Sequence, residues 1–331
     1  MTSRRLELTG PGFVKDVKRP LSTAGLLAGV VPRAFTKRQG LLSANFHPGP
    51  MTVRQAGLRL GRENVQAYRE VCGYRAQAGV VPVTYPEMHF TQLIAEAVLS
   101  SGFPFSPLGL IHVGQRVESL APLLPDDRVD ATTELEELRE TERGYELDFS
   151  MIVERRGTRV WSGLATLLSR SPTKQSVNKR DPAAARSRPR PSASEGSFDL
   201  TVPGNTGVRY ARVSGDYNPH HLWWFTARPL GYRRPIAHGM WTFARVLSEV
   251  LEGVDEDAAL SATAVFKRPL LMPGRIHIEA PRLAEHPSGV QFAAREASSG
   301  APHLLGDAAL AASFCRRSLS SSGAPGSATI A

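Results

Sequence analysis

The sequence predicts an α+β protein built from two tandem copies of one domain. Three observations carry this. In each half a helical pattern is followed by a cluster of strand-like patterns, which argues against a parallel βαβ fold. The two halves align with each other, block by block and in order. A stretch rich in Pro, Ser, Ala and Arg separates them. The 331 residues, 41% of them hydrophobic, supply about two domains and ample core material.

Residues 1–50 are rich in Gly, Pro and Arg and read as an N-terminal arm, packed on the first domain or partly disordered. The first domain spans 51–168, with its long helix expected over Tyr85 to Leu99. Its strands are expected at Leu110 to Val117, Arg128 to Glu136, Tyr145 to Arg155 and Val160 to Ser169. The stretch from Thr133 to Arg143 also carries helix-forming charges, so its assignment stays open. Residues 169–197 read as a basic linker.

The second domain spans 198–317. Met240, Phe243, Ala244, Leu247, Val250 and Leu251 recur at helical spacing until Gly253, so a helix should begin near His238 or Gly239. Strands follow at Ala262 to Phe266, Arg275 to Leu283, Val290 to Glu296 and Leu304 to Phe314. The Ser/Gly/Ala tail over 318–331 reads as unstructured.

The internal repeat rests on several weak matches that share one order. Tyr68-Arg-Glu-Val-Cys-Gly73 meets Tyr210-Ala-Arg-Val-Ser-Gly215, and Pro82 to Phe90 meets Pro235 to Phe243. Leu123-Leu-Pro125 meets Leu271-Met-Pro273, and Gly163-Leu-Ala165 meets Gly306-Asp-Ala308. The copies differ chemically. Tyr74 stands where the second copy has Asp216, Gly79 lies near the place of His221, and Pro86, with no N–H to give, stands at Gly239. Chemistry is therefore expected in the second copy.

Asn218 is a favoured N-cap and Pro219 a favoured first helical residue, so a short helix should start there. Asp216 then sits in the preceding loop and His221 in the first turn, where the two can grip one water for acid–base chemistry. Gly239 offers a backbone N–H at a helix N-terminus, suited to an oxyanion, and has no side chain to hold a ligand off. His220, next to His221, is expected to face outward or be structural. His238 is expected to orient the glycine loop, and Trp223 and Trp224 to be core or interface aromatics.

Two separated blocks carry a resemblance. Tyr210, Ser214, Gly215, Asp216, Asn218, Pro219 and His221 match Tyr-x-x-x-Ser-Gly-Asp-x-Asn-Pro-x-His, and Gly231, Tyr232, Pro235, Ile236, His238, Gly239 and Met240 match Gly-Tyr-x-x-Pro-Ile-x-His-Gly-Met. This resembles the MaoC-like (R)-specific enoyl-thioester hydratases, also called hydratase 2. The resemblance implies hot-dog domains, each a curved antiparallel sheet around a long helix, paired as a pseudo-dimer whose first copy lines an acyl-chain tunnel. Phe103 to Val113 is the candidate lining, although ordinary core packing suits each of those side chains as well. It implies Asp216 and His221 as the catalytic pair, Gly239 as oxyanion donor, and a (3R)-hydroxyacyl thioester as product. Ser214, Gly215, Asn218, His238 and Tyr232 would support the site, with Asn218 capping the helix or hydrogen-bonding near the water. Coenzyme A and acyl carrier protein both remain open as the thioester handle. A hot-dog thioesterase and a non-catalytic acyl-thioester or carrier-binding module remain as alternatives.

Composition bounds the rest. The net charge is +9, and many of the basic residues fall in the arm and the linker. Such segments suit the phosphates of coenzyme A, an acidic carrier protein or nucleic acid, or are simply solvated. Without a nucleic-acid fold signature, a nucleic-acid partner is not expected. Two cysteines, Cys72 and Cys315, suit a reducing compartment. No run is long enough to span a bilayer and no signal-peptide pattern is present, so a cytoplasmic location is expected. No metal-ligand spacing and no nucleotide fingerprint stand out, so neither metal nor cofactor is expected. A homodimer of double hot dogs is compatible with the sequence.

Overall fold

The computed structural model describes residues 3–18, 48–75, 79–107, 109–170 and 196–311. The tail, nearly all of the expected linker and residues 19–47 of the arm lie outside the described residues. In chain order the first half holds β1 (Arg4–Leu6), β2 (Phe13–Asp16), β3 (Met51–Arg59), α1 (Arg62–Cys72), α2 (Glu87–Val98), β4 (Leu110–Ser119), β5 (Arg128–Thr141), β6 (Gly144–Arg155) and β7 (Thr158–Arg170). The second half opens with β8 (Ser197–Val202) and α3 (Thr206–Ser214), then a 3-10 turn at Pro219–His221. The short α4 (Trp224–Ala227), a second 3-10 turn at Arg228–Leu230 and α5 (Gly239–Val250) come next. It closes with β9 (Leu260–Phe266), β10 (Gly274–Glu279), β11 (Val290–Glu296) and β12 (Pro302–Leu310).

Among the described residues these strands form one sheet, ordered β2-β3-β5-β6-β7-β4-β9-β12-β11-β10-β8, with β1 pairing β5 off that path. The order has an internal mirror: β3-β5-β6-β7-β4 is repeated as β8-β10-β11-β12-β9. The halves join where β4 pairs antiparallel with β9, from Gly114 opposite Val265 to Ser119 opposite Leu260. Each half wraps one long helix, α2 or α5, so the chain is a double hot dog.

Helix α5 forms the core of its half because Met240, Trp241, Phe243, Ala244, Val246, Leu247 and Val250 are all buried along it. Burial of a large apolar side chain contributes roughly 1.5–3 kcal/mol, so this face dominates the placement of its N-terminus. Side-chain bonds tie the halves: Trp241 Nε1 donates to Val71 O at 2.9 Å, and Asn64 Nδ2 donates to Val213 O at 3.1 Å. Helices α1 and α3 both end on a left-handed glycine, Gly73 (φ 80°) and Gly215 (φ 74°), a conformation that favours glycine. These are the glycines that align in the sequence repeat.

The structure corrects several expectations. The open stretch from Thr133 is strand: Val129, Ala131, Thr133 and Leu135 are buried at period two, and the ladder to β6 runs on to Thr141. Each copy also opens with a strand and a short helix, β3 with α1 and β8 with α3, which the pattern reading did not separate. Strand β10 stops at Glu279 rather than Leu283, just before Ala280 and Pro281, where proline cannot donate to the ladder. The arm adds β1 against β5 and β2 parallel to β3.

Candidate active site

The site lies where the loop after α3 meets the N-terminus of α5. Gly215 turns the chain out of α3, and Ser214 Oγ accepts the Asp216 N–H at 3.2 Å while donating to Tyr210 O at 2.9 Å. Asp216 Oδ1 in turn accepts the Asn218 N–H at 3.1 Å, closing the turn that launches the 3-10 segment at Pro219. The side chain of Asn218 makes no capping bond, so the expected cap role does not hold. The carboxylate two residues earlier does the local work instead.

One ligand atom each of Asp216, His221 and His238 lie within 4.8 Å of one another. Two hydrogen bonds of about 2.8 Å meeting at a tetrahedral oxygen span roughly 4.6 Å, so the spacing admits one water between a pair of these groups. His221 Nδ1 lies 2.8 Å from Ile236 O, and His238 Nε2 lies 3.0 Å from Asp216 O. A carbonyl only accepts, so each of those nitrogens carries a proton, and His221 keeps its Nε2 lone pair. The two rings stack at 3.6 Å. Burial pushes both histidines down to about 3, and each is further lowered by a neighbouring imidazole, His238 for His221 and His220 for His238. Both are therefore neutral at ordinary pH.

The trio has the composition of a divalent-cation site. The His238 nitrogen 3.7 Å from Asp216 Oδ2 is Nε2, however, which spends its proton on the Asp216 carbonyl. That nitrogen is not a metal donor in this arrangement.

Gly239 is the first residue of α5, where helix N–H groups have no intrahelical acceptor. A Cβ built at Gly239 would sit 3.0 to 3.2 Å from the Phe266 ring. The glycine thus permits close packing of α5 on β9 and lines the cavity without a side chain. The cavity measures about 750 Å³ and runs between the halves. Asp216, Asn218, His221, Tyr232, His238 and Gly239 line it on one side. His220 also lines it, 4.0 Å from the His221 ring and 5.6 Å from Tyr232, so it does not face outward.

The first half contributes more than an apolar wall. Glu87, Thr91 and Gln92 on α2 and His112 on β4 line the same cavity, with Ile94, Val98, Leu110, Ile111, Leu167 and Leu168 beyond them. These polar groups belong to no motif and lie in the half where no chemistry is expected from the sequence. The available signal was the polar stripe at 87, 91 and 92 on a helix otherwise packed as core. Of the candidate tunnel segment, Leu110 to Val113 do line the cavity, whereas Phe103 and Phe105 are fully buried core.

Glu87 is 4% exposed, and Thr91 Oγ1 donates to it at 3.2 Å. Burial, with the Asp216 charge adding, pushes its carboxyl up from 4.5 to about 8. The unfolded chain ionises this group near 4.5 while the folded chain keeps it protonated, so its contribution to stability falls as pH rises from about 4.5 to 8. Glu87→Gln is expected to match the parent near pH 4.5 and exceed it at pH 8 by a few kcal/mol, since each tenfold change in proton affinity is worth about 1.4 kcal/mol. Denaturant midpoints at both pH values test this, and a parent-to-variant gap that does not change with pH would overturn it.

Fold and site together define a double hot dog whose cavity holds an acid–imidazole cluster carried by the C-terminal half. Comparison with known proteins places it further. Residues 189–287 match the MaoC like domain. The chain is 30% identical over 253 residues to 3-hydroxyacyl-thioester dehydratase X of Mycobacterium tuberculosis, covering 76% of this chain and 87% of that protein. The crystal structure of HtdX from the same organism superimposes with a TM-score of 0.65 at 28% identity, over 78% of this chain and 100% of that one. A MaoC-like dehydratase from Phytophthora capsici shares the fold with a TM-score of 0.63 at 20% identity, over 82% and 98%. The chain belongs to the MaoC-like dehydratase family.

Proposed function

We propose that this dehydratase-family enzyme interconverts trans-2-enoyl thioesters and (3R)-hydroxyacyl thioesters. The observation that carries the reading is the convergence of Asp216 and His221 in a cavity that Gly239 also lines at the start of α5. In the hydration direction a water held by the Asp216 carboxylate and the His221 imidazole attacks C3. The Gly239 N–H polarises the thioester carbonyl as C2 gains enolate character. The pair takes one proton from the water and returns one at C2, ending in the protonation state in which it began. Dehydration is the reverse path. The apolar stretch of cavity beyond Glu87 takes the acyl tail, and the thioester handle stays at the mouth.

His238 acts as a positioning residue: its Nε2–H holds the Asp216 carbonyl and its ring backs His221. His221 Nδ1–H on Ile236 O fixes the tautomer whose Nε2 faces its task. Tyr232 packs on His220 at the wall.

The test is to follow enoyl-thioester absorbance and free thiol in one reaction. Loss of the enoyl chromophore without thiol release is the expected result. Thiol release at the same rate would make the protein a thioesterase. No change with any chain length from short to long would leave only a binding module.

A further inference from the structure

The cavity mouth carries a surface that the reaction does not use. Trp223, Trp224 and Phe225 are 48%, 59% and 56% exposed, so the two tryptophans are not core. Single exposed apolar residues are ordinary, but a contiguous patch of this kind marks an interaction site. The patch is preorganised. The rings of Trp223 and Phe225 lie 4° from parallel at 5.8 Å, and Trp224 stands edge-on to Phe225 at 5.9 Å. Thr226 Oγ1 pins the segment, donating to Pro219 O at 2.7 Å and accepting from Trp223 N at 3.2 Å. Phe225 itself lines the cavity, so patch and site are continuous. Arg228, Arg233 and Arg234 are exposed close by in sequence, and no Asp or Glu occurs from 217 to 248.

We propose that Trp223, Trp224 and Phe225, with Arg228, Arg233 and Arg234, form the docking surface for an acidic carrier protein that delivers the acyl thioester into the cavity. The proposal rests on the hydratase reading and names its partner. Aromatic residues and arginine are the types enriched in protein–protein hot spots, while lysine and the acids are depleted. A second copy meeting this face symmetrically would set arginine against arginine, which disfavours self-pairing. An acidic partner meets the same arginines with complementary charge and covers the rings.

The same enoyl chain is presented to the full-length protein on a carrier protein and on pantetheine alone. Trp224→Ala and Arg233→Glu sit on the surface, outside the cavity lining. Each is expected to lower kcat/KM about thirty-fold on the carrier-bound substrate, mainly through KM, the size of a hot-spot loss. Turnover on the pantetheine thioester should stay within about two-fold, since no cavity residue changes. Titrating carrier into the wild-type protein should also shift the emission of the exposed tryptophans. Equal losses on both handles would assign the patch to the substrate pocket and overturn the proposal. No loss on either would overturn it too. A variant defect in anionic-vesicle binding or in dimer mass, with carrier kinetics intact, would name a bilayer or a second copy as the occupant instead. A wild-type protein active on both handles without preference refutes the docking surface alone, whereas inactivity on both refutes the hydratase reading.

Discussion

Asp216→Asn is expected to lower kcat/KM on a trans-2-enoyl thioester by about 10²–10⁴-fold, the typical worth of a positioned acid–base group. The amide keeps the size of the carboxylate and an oxygen able to accept the Asn218 N–H, so the turn before the 3-10 segment survives. The bond from His238 Nε2 runs to the backbone carbonyl of residue 216, which the substitution leaves in place. The melting temperature and the affinity for a saturated acyl thioester should therefore stay near the parent values. What the amide cannot do is take a proton from the water and give one back at C2. A variant within ten-fold of the parent would show that the carboxylate takes no part in proton transfer. A variant that loses ligand affinity as strongly as turnover would show that Asp216 holds the substrate rather than the water.

The parts of this site legible in the sequence were those written in one local stretch. Asp216, Pro219, His221 and Gly239 are fixed by turn chemistry and a helix start, and the structure places them in the loop, the 3-10 turn and the first turn of α5 as their spacing implies. The central helices were legible for the same reason, since a buried face at helical spacing is a local signal. Contacts set by the pairing of the halves were not. Glu87 lies more than a hundred residues from Asp216 and shares its cavity only because β4 pairs with β9. His220 does not face outward: adjacent helical residues usually diverge, but here a 3-10 turn keeps both rings at the cavity wall. Strand β5 was obscured by its charges, which lie on the less buried side of a strand whose alternate residues form core. The exposure of Trp223 and Trp224 was equally invisible, because an aromatic pair reads the same whether a core or a partner covers it.

The second large effect is acid sensitivity. His221 and His238 are held down to about 3, and His89 and His112 to about 4, in each case first by burial. An unfolded histidine takes up its proton near 6.5. Below that pH the unfolded chain binds protons that the folded chain refuses, so stability is fully present above about 6.5 and is lost as pH falls towards 4. Each tenfold loss of proton affinity on folding costs about 1.4 kcal/mol in acid, and these four imidazoles act together against a net stability of roughly 5–15 kcal/mol, opposed over the same range by Glu87, whose contribution rises as pH falls from about 8 to 4.5. Neighbouring His221 and His238 share their cost, so the sum is less than additive. A net loss of stability is still expected as pH falls towards 4. His89 gives the cleanest check, because its ring packs edge-on to Tyr85 at 5.5 Å and does not line the cavity. His89→Leu should unfold at a lower pH than the parent while matching it within about 1 kcal/mol at pH 7.5, where the buried ring is already neutral. Denaturation curves of parent and variant from pH 7.5 down to 4 decide it: if the gap between them does not change with pH, the His89 ring is not held neutral in the folded protein.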